Sequence, residues 1–206
     1  MRFQRVRIAS TSHVLPDEVV RSEDLERSLE PVYRRFSMHA GRLELMTGIR
    51  ERRFFPADTR PSTVAARAGE IALNSCGIAR ERIGLLIHAS VCRDFLEPAT
   101  ASVVHDTLEL PTTCAAFDLS NACLGFANAM SVVAAQIELG AIEAGLVVAG
   151  ECGRKLVEET IRGLLNDPGV TRADLKTAFA SLTIGSGAAA MVLARDDLAP
   201  DAPQLI

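Results

Sequence analysis

Tryptophan is absent, tyrosine occurs once, and aromatic residues make up only 4% of the 206-residue chain. Its 48% hydrophobic content is therefore carried by Ala, Val, Leu and other small aliphatics, a composition suited to helices packed closely on a sheet. There is no basic excess: the net charge is −4, which gives no support to a nucleic-acid partner. An arginine-rich bias runs from Arg2 to Arg42; it reads either as a solvated face or as a contact for an anionic ligand. No stretch approaches the ~20 apolar residues of a membrane span. The start, Met1-Arg2-Phe3-Gln4-Arg5, lacks a secretory apolar core, so the expected location is the cytoplasm. The five cysteines, at 76, 92, 114, 123 and 152, include no C-x-x-C pair and have no histidine pair at ligand spacing. Neither zinc nor a disulfide framework is expected, and four of the five thiols read as packing residues. G-x-G-x-x-G and P-loop patterns are missing too, so no permanently bound cofactor is expected.

What is present alternates between strand and helix signals. Residues 6–11 read as a first strand. Ser22 reads as the N-cap of a helix with Glu23 and Asp24 in its first turn. Residues 33–46 read as a second helix ending at Thr47-Gly48, and Pro61 opens a helix that runs to Cys76 and stops at Gly77. The run Ile-Gly-Leu-Leu-Ile-His-Ala-Ser at 83–90 is continuously apolar, as in a strand covered on both faces. Residues 98–108 read as a helix with Pro98 in its first turn, 115–119 as a strand, and 124–139 as a helix apolar almost all round and hence buried. A strand at 145–150, a polar excursion at 153–180, a glycine turn at Ile184-Gly185-Ser186-Gly187 and a last strand at 188–194 complete the pattern. The expected fold class is α/β, with a mainly parallel sheet flanked by helices in residues 1–195. The Pro- and Asp-rich residues 196–206 read as a linker-like tail.

One stretch carries chemistry: Phe117-Asp118-Leu119-Ser120-Asn121-Ala122-Cys123-Leu124-Gly125-Phe126-Ala127. A strand enters a tight turn, and a cysteine then opens a long apolar helix. A thiol at a helix start faces unpaired N–H groups and the positive end of the helix dipole, which favour the thiolate. Cys123 therefore reads as a nucleophile, against the plainer reading of a small buried hydrophobe. Glu97, before Pro98, reads in itself as an acid favoured by the following helix. His88, at the end of a buried strand, reads as a satisfied core histidine.

The Cys123 block resembles the ketoacyl synthase III-like condensing enzymes of the thiolase superfamily. Ile8-Ala9-Ser10, Leu15-Pro16, Ser22-Glu23-Asp24-Leu25, Thr47-Gly48-Ile49 with Arg52, Leu146-Val147-Val148-Ala149-Gly150-Glu151 and Gly185-Ser186-Gly187-Ala188 add to the likeness. Asp94-Phe95-Leu96-Glu97-Pro98-Ala99-Thr100 is similar to the OleA-like branch, which joins two long-chain acyl-CoA thioesters head to head. The resemblance implies a thiolase-like half whose central helix starts at Cys123, with Cys123 as the acyl acceptor. It also implies that Glu97 is a base reaching a neighbouring subunit's site in a homodimer, and that acyl-CoA is the substrate. Arg34, Arg35, Arg50, Arg52 and Arg53 are candidates for the CoA phosphates.

The same resemblance implies a catalytic His and Asn that have no counterpart here. None of His13, His39, His88 and His105 matches, and Ser186 stands where an aspartate is usual in ketoacyl synthase III. The expectation is the amino-terminal half of the fold, with the carboxy-terminal thiolase half absent or supplied by a separate chain. Three functions follow. The first is a non-decarboxylative Claisen condensation of two acyl-CoAs to a 2-alkyl-3-ketoacid. The second is a 3-oxoacyl-ACP synthase III reaction using malonyl-ACP. The third is a non-catalytic partner subunit.

Overall fold

The structure, a computed structural model, describes residues 2–206. In chain order its strands and helices are β1 (Val6–Val14), β2 (Glu18–Arg21), α1 (Ser22–Ser28), α2 (Glu30–Arg35), α3 (Arg42–Thr47), β3 (Glu51–Phe54), α4 (Pro61–Cys76), β4 (Ile83–His88), α5 (Thr100–Thr107), β5 (Ala115–Asp118), α6 (Gly125–Glu138), β6 (Ala144–Cys152), α7 (Arg154–Asn166), α8 (Arg172–Leu182) and β7 (Ser186–Arg195). They form two compact units. One comprises the segment ending at Val14 together with Thr59–Glu151 and Ala188–Ile206; the other comprises Leu15–Asp58 and Cys152–Gly187.

The first unit is built on a five-stranded mixed sheet of order β1-β7-β6-β4-β5. β4 pairs in parallel with β5 on one side and β6 on the other, while β1 and β7 are antiparallel. The continuous apolar runs of β4 and β6 are explained by helices on both faces. Side chains alternate along β4. Leu85 and Ile87 join Val147 and Leu193 against Ala129, Val133, Ala134 and Ile137 of α6. The opposite face meets α4: Gly69 lies against Leu108, Leu146 and Val148, and Ser10 and Ser12 of β1 donate hydroxyls to the Ala72 and Ala68 carbonyls of the same helix. Each fully buried Val or Ile in this core contributes roughly 2 kcal/mol.

α6 is buried on one face only. Ala127, Asn128 and Ser131 are exposed, so the all-round burial expected from its composition does not hold within this chain. Residues 196–206 do not trail away as a linker. Ile8 N–H donates to the Pro203 carbonyl, Leu205 N–H to the Val6 carbonyl, and Leu205 packs on the α6 core.

The second unit holds the antiparallel β2–β3 pair and a core of Leu25, Leu29, Val32, Leu43, Val157, Leu164, Leu175, Phe179 and Leu182. The helix expected over 33–46 is two helices with residues 36–41 between them. Buried Glu26 accounts for the break. Its carboxylate accepts the N–H groups of Gly41 (2.5 Å) and Leu43 (2.7 Å) and the Tyr33 hydroxyl (2.9 Å), drawing the start of α3 back onto α1. Burial and the Glu26 carboxylate together raise the Tyr33 pKa. Ser22 is not the cap of α1. Its hydroxyl donates to the Ile49 carbonyl and accepts from Arg52, so Arg21 occupies the N-cap position.

The ends of α4 are where the sequence places them, with Pro61 at the first turn and Gly77 at φ +69°. Gly150 has a different reason to be glycine: a Cβ there would lie 2.2 Å from the Pro61 carbonyl oxygen. Backbone cannot swing aside as a side-chain tip can. Gly150→Ala is expected to lower stability by about 3 kcal/mol. Gly163→Ala, in open space within α7, is expected to raise it by roughly 1 kcal/mol. Urea unfolding of the two variants checks both signs.

Candidate active site

Parallel pairing places the carboxyl ends of β4, β5 and β6 along one edge of the sheet, with His88 level with Asp118 and Val148. In sheets of this kind, ligands bind outside that edge. The loops leaving it carry Cys123 and Glu97, and Glu151 stands at the end of β6.

After β5, Leu119 N–H still donates to the His88 carbonyl, and the chain then turns sharply. Ala122 takes φ +44°, a left-handed conformation that costs a non-glycine residue roughly 1–2 kcal/mol. A single 3₁₀ turn, Ala122–Leu124, follows, with Leu124 N–H bonded to the Asn121 carbonyl. α6 begins only at Gly125. Cys123 thus lies in the 3₁₀ turn leading into α6, two residues before the expected first turn becomes α-helical. Its side chain is exposed, so the small-buried-hydrophobe reading does not describe it in this chain. Asn121 Nδ2 donates to Asn128 Oδ1 at 2.6 Å, tying the turn to α6.

Three carboxylates hold the loop after β4. Glu151, near the end of β6, accepts Val91 N–H (2.7 Å) and Cys92 N–H (3.2 Å). Asp94 accepts the Ser62 N–H (2.9 Å) and hydroxyl (2.5 Å) at the first turn of α4. Asp118, the last residue of β5, accepts the N–H groups of Thr100 (2.9 Å) and Ala101 (2.8 Å) at the start of α5. α5 therefore starts at Thr100, with Pro98 outside it, and its cap is supplied from 18 residues away. Glu97 lies between these anchors. It is exposed and has no hydrogen-bond or ion-pair partner among the described residues, and the first amides of α5 bond Asp118. Cys123 and Glu97 share the sheet edge, and no hydrogen bond joins them in the single chain.

His88 is buried beneath the loops, 0% exposed, and differs from the satisfied core histidine expected. Neither ring nitrogen has a hydrogen-bond partner, and Nδ1 stands 3.6 Å from Asp118 Oδ1. Burial lowers its pKa below the usual value, outweighing the opposing pull of Asp118, Glu151 and Asp94; Arg93 adds to the lowering. Cys114 is a packing thiol, pushed up to about 11 by burial. No group of three or more His, Cys, Asp or Glu among the described residues could hold a metal ion.

Comparison with known proteins agrees with this geometry. The family model for 3-oxoacyl-[acyl-carrier-protein] synthase III matches residues 117–203. An acyl-CoA:acyl-CoA alkyltransferase of Xanthomonas campestris is 41% identical over 204 residues, covering 99% of this chain and 60% of that protein. A Shewanella oneidensis protein of the same name is 40% identical over 193 residues, 94% of this chain and 55% of the relative. The crystal structure of X. campestris OleA with a glutamate-to-aspartate substitution, bound with cerulenin, superposes with a TM-score of 0.93 at 40% identity, over 99% of this chain and 61% of that one. Residues 117–203 thus carry a 3-oxoacyl-[acyl-carrier-protein] synthase III domain, and 99% of the chain shares the fold of X. campestris OleA. The chain spans about 60% of the length of the relatives it matches.

The arginines expected near CoA are largely engaged within the fold. Arg34 pairs with Glu30, and Arg35 reaches the Pro168 and Val170 carbonyls. Arg52 is buried on Ser22 and the Val20 carbonyl, its pKa lowered by burial, and Arg53 bonds the Pro16 carbonyl. Arg50 lines a surface cleft with Arg21, Glu23 and Glu44. Ser186 accepts the Gly153 N–H at 3.0 Å. The residue that the sequence reading missed is Asp118. Its signal in the sequence is an acid closing the strand directly before the Cys123 turn.

Because His88 takes up a proton less readily when folded than unfolded, the unfolded chain binds more protons as pH falls below about 6.5. Stability is expected to be full above that pH and to fall as pH drops through the window below it, by at most about 1.4 kcal/mol per pH unit. Denaturant unfolding at pH 7.5 and 5.5 measures this, and His88→Gln should flatten the slope.

Proposed function

We propose that the chain is the nucleophile-bearing part of an acyl-CoA condensing enzyme. Cys123 takes the acyl group of a fatty acyl-CoA, forming a thioester and releasing CoA, so one difficult step becomes two. Glu97 of a neighbouring subunit removes the α-proton of a second acyl-CoA. The resulting enolate attacks the Cys123 thioester, a carbon–carbon bond forms and the cysteine leaves. Hydrolysis of the remaining thioester gives the 2-alkyl-3-ketoacid. One observation carries this reading: an exposed carboxylate with no partner stands on an anchored loop at the same sheet edge as the exposed Cys123 turn. A base that must abstract a weakly acidic C–H proton is of no use if its lone pairs are already engaged.

Both oxyanions of this pathway need hydrogen-bond donors. The Cys123 backbone N–H is one candidate. We assign the others, with the catalytic His and Asn that the resemblance implies, to protein outside residues 1–206, on the same or a separate chain. A homodimer is supported by β5. It is the edge strand of the sheet, and Phe117 on it is 40% exposed. Acyl-CoA is substrate, with no resident cofactor.

The 3-oxoacyl-ACP synthase III reaction is the second reading, favoured by the family model over residues 117–203. There the carbanion comes from decarboxylation of a malonyl group and needs no base. A non-catalytic partner subunit is the third.

Intact-protein and peptide mass spectrometry after incubation with a long-chain acyl-CoA should find the acyl group on Cys123 and none in Cys123→Ala. An unmodified Cys123 would sink the nucleophile assignment. Glu97→Ala should keep the adduct while condensation of two acyl-CoAs falls by about 10²-fold or more. Undiminished condensation in that variant would favour the malonyl route.

A further inference from the structure

The geometry points to Asp118 as a positioning residue: with Asp94, it holds the Glu97 segment against the end of β5, the edge strand at which the proposed dimer forms. This inference rests on the proposed roles of Glu97 and Cys123 and goes beyond them, since Asp118 touches neither residue.

The register sets the arrangement up. His88 and Asp118 are level in the parallel β4–β5 pair, so their side chains leave the same face of the sheet, the face on which α4 and α5 pack. Asp118 thereby reaches the first turn of α5, where two N–H groups have no partner within the helix. Its two oxygens take one each, at 2.9 Å from Thr100 N and 2.8 Å from Ala101 N. A carboxylate accepting from helix N-terminal amides forms charge-assisted bonds, stronger than neutral ones. His88, whose pKa burial lowers, stands 3.6 Å from Asp118 Oδ1 and makes no hydrogen bond to it.

The other end of the segment is held in the same way. Both oxygens of Asp94 bond Ser62, and Asp94 N–H donates to Thr100 Oγ1 at 3.2 Å, joining the two anchors to each other. Residues 95–99 are left as a short span between fixed points. On that span Phe95, Leu96 and Glu97 project outward, Leu96 being 86% exposed. Asp118 also ends the strand whose next residues form the Cys123 turn. One carboxylate thus ties the base-bearing span to the end of the edge strand, and through it to the neighbouring subunit whose Cys123 the proposed base serves. A base displaced by an ångström from its reacting geometry loses much of its effect, which gives such a tie a catalytic consequence.

Asp118→Asn tests the inference. The amide oxygen still accepts one N–H, while its NH₂ opposes the other. Amide hydrogen exchange in the full chain should speed up at least tenfold over residues 93–101, with residues 85–88 of β4 unchanged. In parallel, Cys123 acylation by a long-chain acyl-CoA should stay within about twofold of wild type while condensation falls. Adding Asp118→Asn to Glu97→Ala should then cause no further fall, as expected when one residue acts through the other. Unchanged exchange at 93–101, an equal rise in β4, or an additive loss of condensation in the double variant would overturn the positioning role. If Asp118→Asn does not fold, Asp94→Asn probes the other anchor and should loosen the same segment with the same sparing of β4; its failure to do so would overturn the clamp. Condensation unaffected by Glu97→Ala alone would overturn the base assignment, and that result is read separately from the exchange data.

Discussion

The parallel pairing of β4 with both β5 and β6 is the constraint on which the rest of this chain depends. A parallel sheet needs helices on both faces, which explains the unbroken apolar runs at β4 and β6 and the close approaches at Gly69 and Gly150. It also brings three strands to their carboxyl ends along one edge. Every group proposed for chemistry lies in the loops leaving that edge. Were β5 antiparallel to β4, the Cys123 turn and the Glu97 loop would leave opposite edges.

Loops at such an edge are difficult to fix, because their backbone donors must find partners outside any ladder. Here carboxylates do this. Glu151, Asp94 and Asp118 each satisfy two donors, most of them backbone N–H groups, and two of the three sit at helix N-termini where negative charge is favoured. A hydrogen bond to a charged acceptor contributes about 1.5–3 kcal/mol, more than a neutral one. Three acids drawn to one place carry a cost through mutual repulsion, and a protonated histidine beneath them would relieve it. Burial opposes that remedy by lowering the His88 pKa, and the helix termini offset the acids. The one carboxylate of the loop with no protein donor is Glu97, and the difference in surroundings separates the structural acids from the proposed base.

How much of this could be read from the sequence depended on the range of the forces involved. Features fixed within a few residues were legible. α4 begins at Pro61 and ends before Gly77 because Pro and Gly act locally, and the apolar strands showed in their composition. Features fixed by distant partners were not. Ser22 looked like a cap until Ile49 and Arg52 claimed its hydroxyl. The 33–46 helix is broken by Glu26 reaching Gly41 and Leu43. α5 starts two residues after Pro98 because Asp118 caps it across the sheet. At the site, Cys123 and Glu97 stood out by motif, whereas the acids that anchor the Glu97 loop carry no local pattern and emerge only from the register.

α6 adds a physical argument for what lies beyond the single chain. Its sequence is apolar around nearly its whole circumference, yet this chain covers only the face of Ala129, Val133, Ala134 and Ile137. Leu124, just before it, is 62% exposed, and Phe117 stands out from the edge strand beside it. Singly exposed apolar side chains are common on monomers and need no explanation. Leu124 and Phe117 are a different matter, because they flank the Cys123 turn in sequence and Phe117 lies on the edge strand of the sheet. Covering them by a second subunit or by further protein would stabilise the fold and enclose the thiol in one step.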